Sequence, residues 1–453
     1  MSLTPDDPPA KSRLIIPGAE PEAVEKPRII LPPGSVRESA EDLPEYPRLR
    51  RLMILPVRDG ERELLLVQDP MGIIAGQPVL GMESLPILQL LDGTVSLNDI
   101  SAAVMRESKD LRVGNMIRDF IAQLDEMFML ESPRFQRALD ETRSQYHQLE
   151  IRPAALEGVS YPAEREALEQ MLDGHFAEAR AARETAGAAE PTAVPRSILA
   201  PHLDPRREGP LMARAYLEIP APLPASATPL RVVILGTGHN LVGDYAALTR
   251  KHFQTALGKA TTDTAFVDHV ASKLGDLAYR GELSHREEHS IEFQVLYLQR
   301  RLGETPFTIV PILCGGFYNL LDERKTPREE PEVEALIEGL RGAEAKLGGT
   351  TMYVAGVDFS HFGPRFGDPK VVEEVKAEVK QVDQAAIEAA AAGDADAWFA
   401  SIAEQDDATR ICGYAPTYVM LRAATPGAGR PLGYAQSEER DTSVVSVAAM
   451  VWP

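Results

Sequence analysis

From Ser197 onward the chain alternates short apolar runs with amphipathic stretches, and this alternation restricts the fold more than any other feature. Ser197-Ile198-Leu199-Ala200, Arg231-Val232-Val233-Ile234-Leu235, Phe307-Thr308-Ile309-Val310-Pro311-Ile312-Leu313 and Met352-Tyr353-Val354-Ala355-Gly356-Val357 read as buried strands. Asp204-Pro205 opens a helix, with aspartate as N-cap and proline at the first helical position. A second helix begins near Glu288 and carries Ile291, Val295 and Leu298 on one face. Pro369 opens a long helix whose stripe is Val372, Val375, Val379, Val382 and Ala386, and another helix follows Gly413. Val444-Val445-Ser446-Val447-Ala448-Ala449-Met450-Val451 closes the chain as a strand. Strands alternating with helices predict an α/β domain with a largely parallel sheet.

In such sheets, ligands and metals gather where strands end and loops begin. His202 follows the first of these strands, His239 follows the second through Gly236-Thr237-Gly238, and Asp358 and His361 follow the fourth. Cys412 precedes a predicted helix. A lone histidine is by default a satisfied polar residue, and a lone cysteine a small buried hydrophobe. Placement at strand ends singles out His202, His239 and the Asp358/His361 pair, and His202, His239 and Cys412 are expected to meet at a metal. Neutral imidazole suits iron, copper, zinc or nickel, and a thiolate adds a soft donor. Two imidazoles and one thiolate leave an open position, as in catalytic rather than structural sites. Asp358 has three uses open to it: ligand, orienting partner of a histidine, or base. His289, behind Glu287-Glu288, is a further acid/base candidate, although that acidic pair reads by default as a solvated helix N-terminus. Cys314 sits in an apolar strand end and reads as a hydrophobe.

The N-terminal third has a different texture. Residues 1–50 hold ten of the 36 prolines and many charges, a composition that cannot repay its ordering entropy. They are expected to form a disordered tail. Residues 51–135 read as a small α+β domain of winged-helix-like type. Leu52–Val57 and Leu64–Val67 flank the turn residues Asp59-Gly60 as a hairpin, with Pro56 implying an edge. Three helices follow, one over Leu85, Leu88 and Leu91, one from Ser96 with Asp99 three residues on, and one over Ile117, Phe120, Ile121, Leu124 and Phe128. Residues 136–150 read as a helical connector, and the helical pattern runs on to about residue 190 with breaks at Arg152-Pro153 and Tyr161-Pro162.

Composition excludes several roles. A net charge of -21 argues against nucleic acid and anionic membrane surfaces. Residues 83–134 carry nine acidic and five basic side chains, a poor balance for a DNA reader. No apolar run is long enough for a membrane span, and the N-terminus has no signal-peptide pattern. Two cysteines make a disulfide framework improbable, so a cytoplasmic location is expected.

Taken together, Ala200-Pro201-His202, Leu235-Gly236-Thr237-Gly238-His239, Glu288-His289-Ser290-Ile291-Glu292-Phe293-Gln294, Val357-Asp358-Phe359-Ser360-His361-Phe362-Gly363 and Cys412-Gly413-Tyr414 resemble the Memo family. Bacterial members of it include protein B of the AmmeMemoRadiSam set. Arg152-Pro153 with Gly158-Val159-Ser160-Tyr161-Pro162 resembles that family's opening motif, so the resemblance spans residues 151–453. It implies a fold related to class III extradiol dioxygenases and a metal pocket of His202, His239 and Cys412, lined by Asp358, His361 and His289. Iron or copper, with zinc as the further option, and redox or dioxygenase-like chemistry on a small molecule or peptide are the implied cofactor and activity. The implied companions are a radical SAM protein and an AMMECR-domain protein. The chain departs from the family where Leu203-Asp204-Pro205-Arg206-Arg207 replaces a small-residue continuation of Pro-His. Leu88-Gln89-Leu90-Leu91-Asp92-Gly93-Thr94-Val95-Ser96 with Ile100 resembles PqqD-like modules, which implies a peptide ligand for residues 51–135. The alternative to an enzyme is a non-catalytic peptide- or partner-binding component of a radical SAM-associated modification system.

Overall fold

The computed structural model describes residues 13–14, 43–59, 62–69, 71–108, 113–227, 229–241 and 243–453. The chain divides into two compact units, residues 1–148 and 149–453. No helix among the described residues is long and apolar enough to cross a membrane.

The first unit holds strands β1 (Arg13–Leu14), β2 (Met53–Asp59), β3 (Arg62–Gln68) and β4 (Val79–Gly81) in the order β1-β4-β3-β2. The hairpin pairs Leu55 with Leu66 and Val57 with Leu64, and β2, with Pro56, is an edge. Helices α1 (Leu85–Gln89), α2 (Leu97–Ser108), α3 (Val113–Glu126) and α4 (Pro133–His147) follow. Ser96 caps α2, its Oγ accepting from Asp99 N–H at 3.1 Å. Leu65, Val67 and Leu80 of the sheet meet Leu88, Ile100, Phe120, Ile121 and Leu124 of the helices in one core.

Two boundaries differ from expectation. The last part of the expected tail is folded: Leu43 and Leu49 pack on that core, and Arg50 is buried. Its guanidinium donates to Asp69 at 2.9 Å and to Phe128 O at 2.6 Å, which satisfies a charge no extended tail would bury. Residues 1–12 and 15–42 of that expectation lie outside the described residues. The expected connector is α4, which starts at Pro133 under a Ser132 cap.

The second unit is built from β5 (Ile151–Arg152), α5 (Arg165–Thr185), β6 (Ser197–Ala200), α6 (Pro205–Leu217), β7 (Leu230–Thr237), β8 (Ala246–Leu248), β9 (His252–Thr255) and β10 (Gly258–Ala260). Then come α7 (Thr264–Leu274), α8 (His289–Leu302), β11 (Phe307–Cys314), α9 (Tyr318–Asp322), α10 (Pro331–Leu347), β12 (Thr350–Gly356) and β13 (His361–Phe362). The chain closes with α11 (Glu373–Ala391), α12 (Ala395–Ala403), α13 (Tyr414–Ala424), β14 (Arg430–Glu438) and β15 (Val444–Trp452).

The main sheet runs β13-β15-β6-β12-β7-β11-β8, with β14 also on β15. Its centre, β6-β12-β7-β11, is parallel as expected for crossover helices. β15 and β8 flank this centre antiparallel, so the sheet is mixed. Alternate residues of a strand face opposite sides. Val233 and Leu235 join the core under α7, α10 and α13, while Val232 and Ile234 join the core under α5, α6 and α8. Helices thus cover both faces. A separate small sheet, β10-β9-β5, pairs Arg152 with Phe253.

Candidate metal centre

Three adjacent parallel strands, β6, β12 and β7, end in register, with Gly356 opposite both Ala200 and Gly236. His202, Asp358 and His239 follow within three residues of those ends, so the topology places them side by side. The N-terminus of α8 lies directly on this rim. A Cβ on Gly236 would stand 2.5 Å from Ser290 Oγ, and one on Gly356 would stand 2.6 Å from Ser290 O. Only glycine at both positions lets the helix carry Glu288 and His289 so close to the strand ends. Cys412 arrives from the opposite side, just before α13, and its carbonyl accepts from Thr237 Oγ1 at 3.1 Å.

The donor atoms of His202, His239 and Cys412 all lie within 4.8 Å of one another. His202 is buried, and its Nδ1–H donates to Gly356 O at 2.8 Å. Nε2 is therefore the lone-pair nitrogen, and it lies 3.3 Å from Cys412 Sγ. Asp358 Oδ1 accepts from the N–H groups of His202 (2.9 Å) and Leu203 (3.1 Å), and Oδ2 lies 3.6 Å from His202 Nε2. His289 joins by ring contacts, its centroid 5.1 Å from His202 and 4.8 Å from His239. His361 stands one step back. Its Nδ1 faces the carbonyls of Phe359 (2.9 Å) and Arg410 (3.1 Å), and its ring meets Phe366 edge-on at 5.3 Å.

The electrostatics follow from burial. Burial, helped by the neighbouring His239, lowers His202 to about 3, and burial against the opposing pull of Glu288 lowers His289 to about 4. Both imidazoles are neutral at ordinary pH, the form that ligates. His239, whose side chain is partly exposed, is raised instead: desolvation opposes its charge, but the Glu288 carboxylate outweighs it. Burial, with Asp358 nearby, pushes the Cys412 thiol well up, so a metal entering here displaces a thiol proton. Burial also raises Asp358, with His361 opposing. Cys314 is a buried thiol raised by burial alone.

Three residues without a role in the sequence reading support this centre. Glu288 is buried rather than solvated, and it caps α8 by accepting from the N–H groups of His289 and Ser290, each at 2.9 Å. Arg152 is fully buried and donates to Glu288 O at 2.7 Å, to His285 O at 2.9 Å, and to Glu292. Glu292 also accepts from Tyr161 OH at 2.6 Å. The opening motif therefore clamps the first turn of α8.

The family model for Memo-like proteins matches residues 152–451. The chain belongs to the Memo-like family. A MEMO1 family protein of Thermus thermophilus is 28% identical over 362 residues, covering 79% of this chain and 98% of the relative. MEMO1 family proteins of Methanopyrus kandleri (29% identical over 316 residues, 66% of this chain and 98% of the relative) and Aquifex aeolicus (25% over 324 residues, 71% and 77%) are also similar. The Memo-like match covers all the residues of the cluster, from Arg152 to Cys412. The mixed α/β architecture of the second unit fits a Memo-like domain.

Proposed function

We propose that this Memo-like protein holds one transition-metal ion through His202 Nε2, the imidazole of His239 and Cys412 Sγ. The convergence of three donors within 4.8 Å carries the reading. The donor set fits the group. Ligands at ~2.0 Å (imidazole) and ~2.3 Å (thiolate) on a tetrahedral ion stand about 3.5 Å apart, and His202 Nε2 and Cys412 Sγ are 3.3 Å apart. Imidazole with thiolate suits iron, copper and zinc alike; the resemblance to the Memo family is what favours iron or copper, with zinc the competing occupant. Such an ion, when bound, supplies redox chemistry or polarises a substrate oxygen. We assign the protein redox or dioxygenase-like chemistry on a small molecule or peptide, in keeping with the relation to class III extradiol dioxygenases that the resemblance to the Memo family implies. In this reading Asp358 holds the His202 backbone and moves a proton at Oδ2. His289, neutral and beside His202, acts as a base, and His361 steadies the far wall. A cytoplasmic location accords with two free cysteines.

The test is elemental analysis of protein purified without a metal-binding tag, beside His202→Ala and Cys412→Ser. One iron or copper per chain, lost in both variants while their far-ultraviolet circular dichroism is unchanged, is expected. Stoichiometric metal in His202→Ala would remove it from the ligand set.

A second reading rests on the first unit, which has its own core of hairpin and helices and carries the PqqD-like run. In it the chain captures a peptide for a radical SAM protein and works beside an AMMECR-domain protein without catalysis of its own. Co-purification of a radical SAM protein, with no oxygen uptake by the metal-loaded chain on any candidate substrate, would favour it.

A further inference from the structure

We infer that Glu288 is a positioning residue that sets the tautomer of His239, leaving Nε2 as its lone-pair nitrogen. The carboxylate is pinned before either ring is considered. Oε1 accepts the N–H groups of His289 and Ser290, both at 2.9 Å, and Oε2 accepts the N–H of His239 at 3.1 Å. These amides belong to the first turn of α8 and the end of the β7 loop, so the carboxylate is fixed to both elements that carry the rings. The Glu288 carbonyl is fixed in turn by Arg152. Against this anchored group stand two ring nitrogens. His239 Nδ1 is 3.1 and 3.0 Å from the two oxygens, and His289 Nδ1 is 3.2 Å from Oε1.

An ionised carboxylate only accepts, so His239 Nδ1, which hydrogen-bonds to it, carries the hydrogen. Free neutral imidazole favours the opposite tautomer, so the preference has to be imposed. The His289 ring lies nearly parallel to that of His239, 14° apart with centroids at 4.8 Å, and its Nδ1 stands in ion-pair range of the carboxylate. His202 reaches the same tautomer by a separate device, the carbonyl of Gly356. Two imidazoles, His202 and His239, thus present the same nitrogen. The consequence for metal affinity rests on the reading above. The tautomers themselves do not.

The experiment uses the full chain, metal-free, at mildly alkaline pH with ring-15N histidine. Long-range proton–nitrogen spectra report the tautomer of each of the nine histidines, assigned with His202→Gln, His239→Gln and His289→Gln. Wild-type protein should show Nδ1–H on His202 and His239. In Glu288→Gln, His239 should move toward Nε2–H while His202 keeps its Nδ1–H. General damage to the fold would move His202 as well, so this pattern separates positioning from scaffolding. Wild-type His239 as Nε2–H overturns the inference without any variant, as does an unchanged His239 in Glu288→Gln. Ferrous or cuprous ion added to the same samples gives the second readout, with about 10–100-fold weaker binding expected in Glu288→Gln. Wild-type protein that shows these tautomers yet takes up no metal leaves this inference standing and removes the metal reading.

Discussion

Asp407 shows what a single side chain contributes to the loop that delivers Cys412. Asp406, Asp407 and Arg410 have φ of 50°, 48° and 58°, a left-handed conformation that costs a non-glycine residue free energy. Asp407 Oδ1 accepts the Ile411 N–H at 2.8 Å and holds that shape, while the buried Oδ2 has no hydrogen-bond partner among the described residues. Burial lifts this carboxyl from 3.8 to about 6. Between those values the folded chain keeps a proton that the unfolded chain has released, so stability falls as pH rises through the window. Asp407→Asn keeps the acceptor and removes the charge. It should raise stability at neutral pH by about 3 kcal/mol and flatten the slope between the two values. Urea titrations of both proteins across that range check it, and parallel slopes would refute it. At this scale the sequence is uneven. His202, His239 and Cys412 were legible because each sits beside a recognisable strand or helix end. Glu288 was not, since an acid before a helix is ordinary on a solvated surface. It is buried where the close approach of Ser290 to Gly236 and Gly356 sets the start of α8 on the strand ends.

Among elements, β5 and α8 are the pair on which the site depends. β5 is two residues long, too short for any period to announce, yet it delivers a guanidinium with no exposure. Glu292 answers it from the buried side of α8, where a polar residue interrupts Ile291, Phe293 and Val295. Removing one partner of a buried pair leaves the other charge uncompensated, which costs about 3–5 kcal/mol, whereas replacing both by apolar groups costs far less. Arg152→Met should therefore destabilise the chain by that amount, and Arg152→Met with Glu292→Leu should recover part of it, the rest being the cost to Tyr161 OH and the Ala155 and Leu156 N–H groups, which lose their acceptor. A double-mutant cycle by urea unfolding measures the difference, and additive losses would mean that the pair is not coupled. The same dependence on tertiary contacts explains α11. Apolar spacing predicted a start at Pro369, but the helix starts at Glu373, Val372 is 52% exposed, and the buried side is Val379, Asp383, Ala386, Ile387 and Ala390. Asp383 belongs on that face because Ser360 Oγ (2.6 Å) and Tyr434 OH (2.8 Å) donate to it, a compensation that periodicity cannot register.

For the whole molecule, the change of texture near residue 150 is the change of unit. One hydrophobic core lies within residues 43–130, and the large cores on the two faces of the main sheet lie within residues 161–452. The second unit contains both strands and helices of the central layer, its covering helices on each face, and every residue of the candidate metal cluster. At 305 residues it is long enough to bury a large fraction of its apolar surface on its own. A chain of residues 149–453 should thus unfold in one cooperative transition and bind metal with the stoichiometry of the full chain. His202→Ala in that shorter chain should abolish binding as it does in the longer one. Scanning calorimetry and elemental analysis of the two chains, prepared side by side, provide the comparison. A shorter chain that melts without cooperativity would show that its fold needs the first unit. A shorter chain that melts cooperatively but binds no metal, where the full chain does, would mean that the first 148 residues supply or shield a ligand, and the donor set argued above would have to be redrawn.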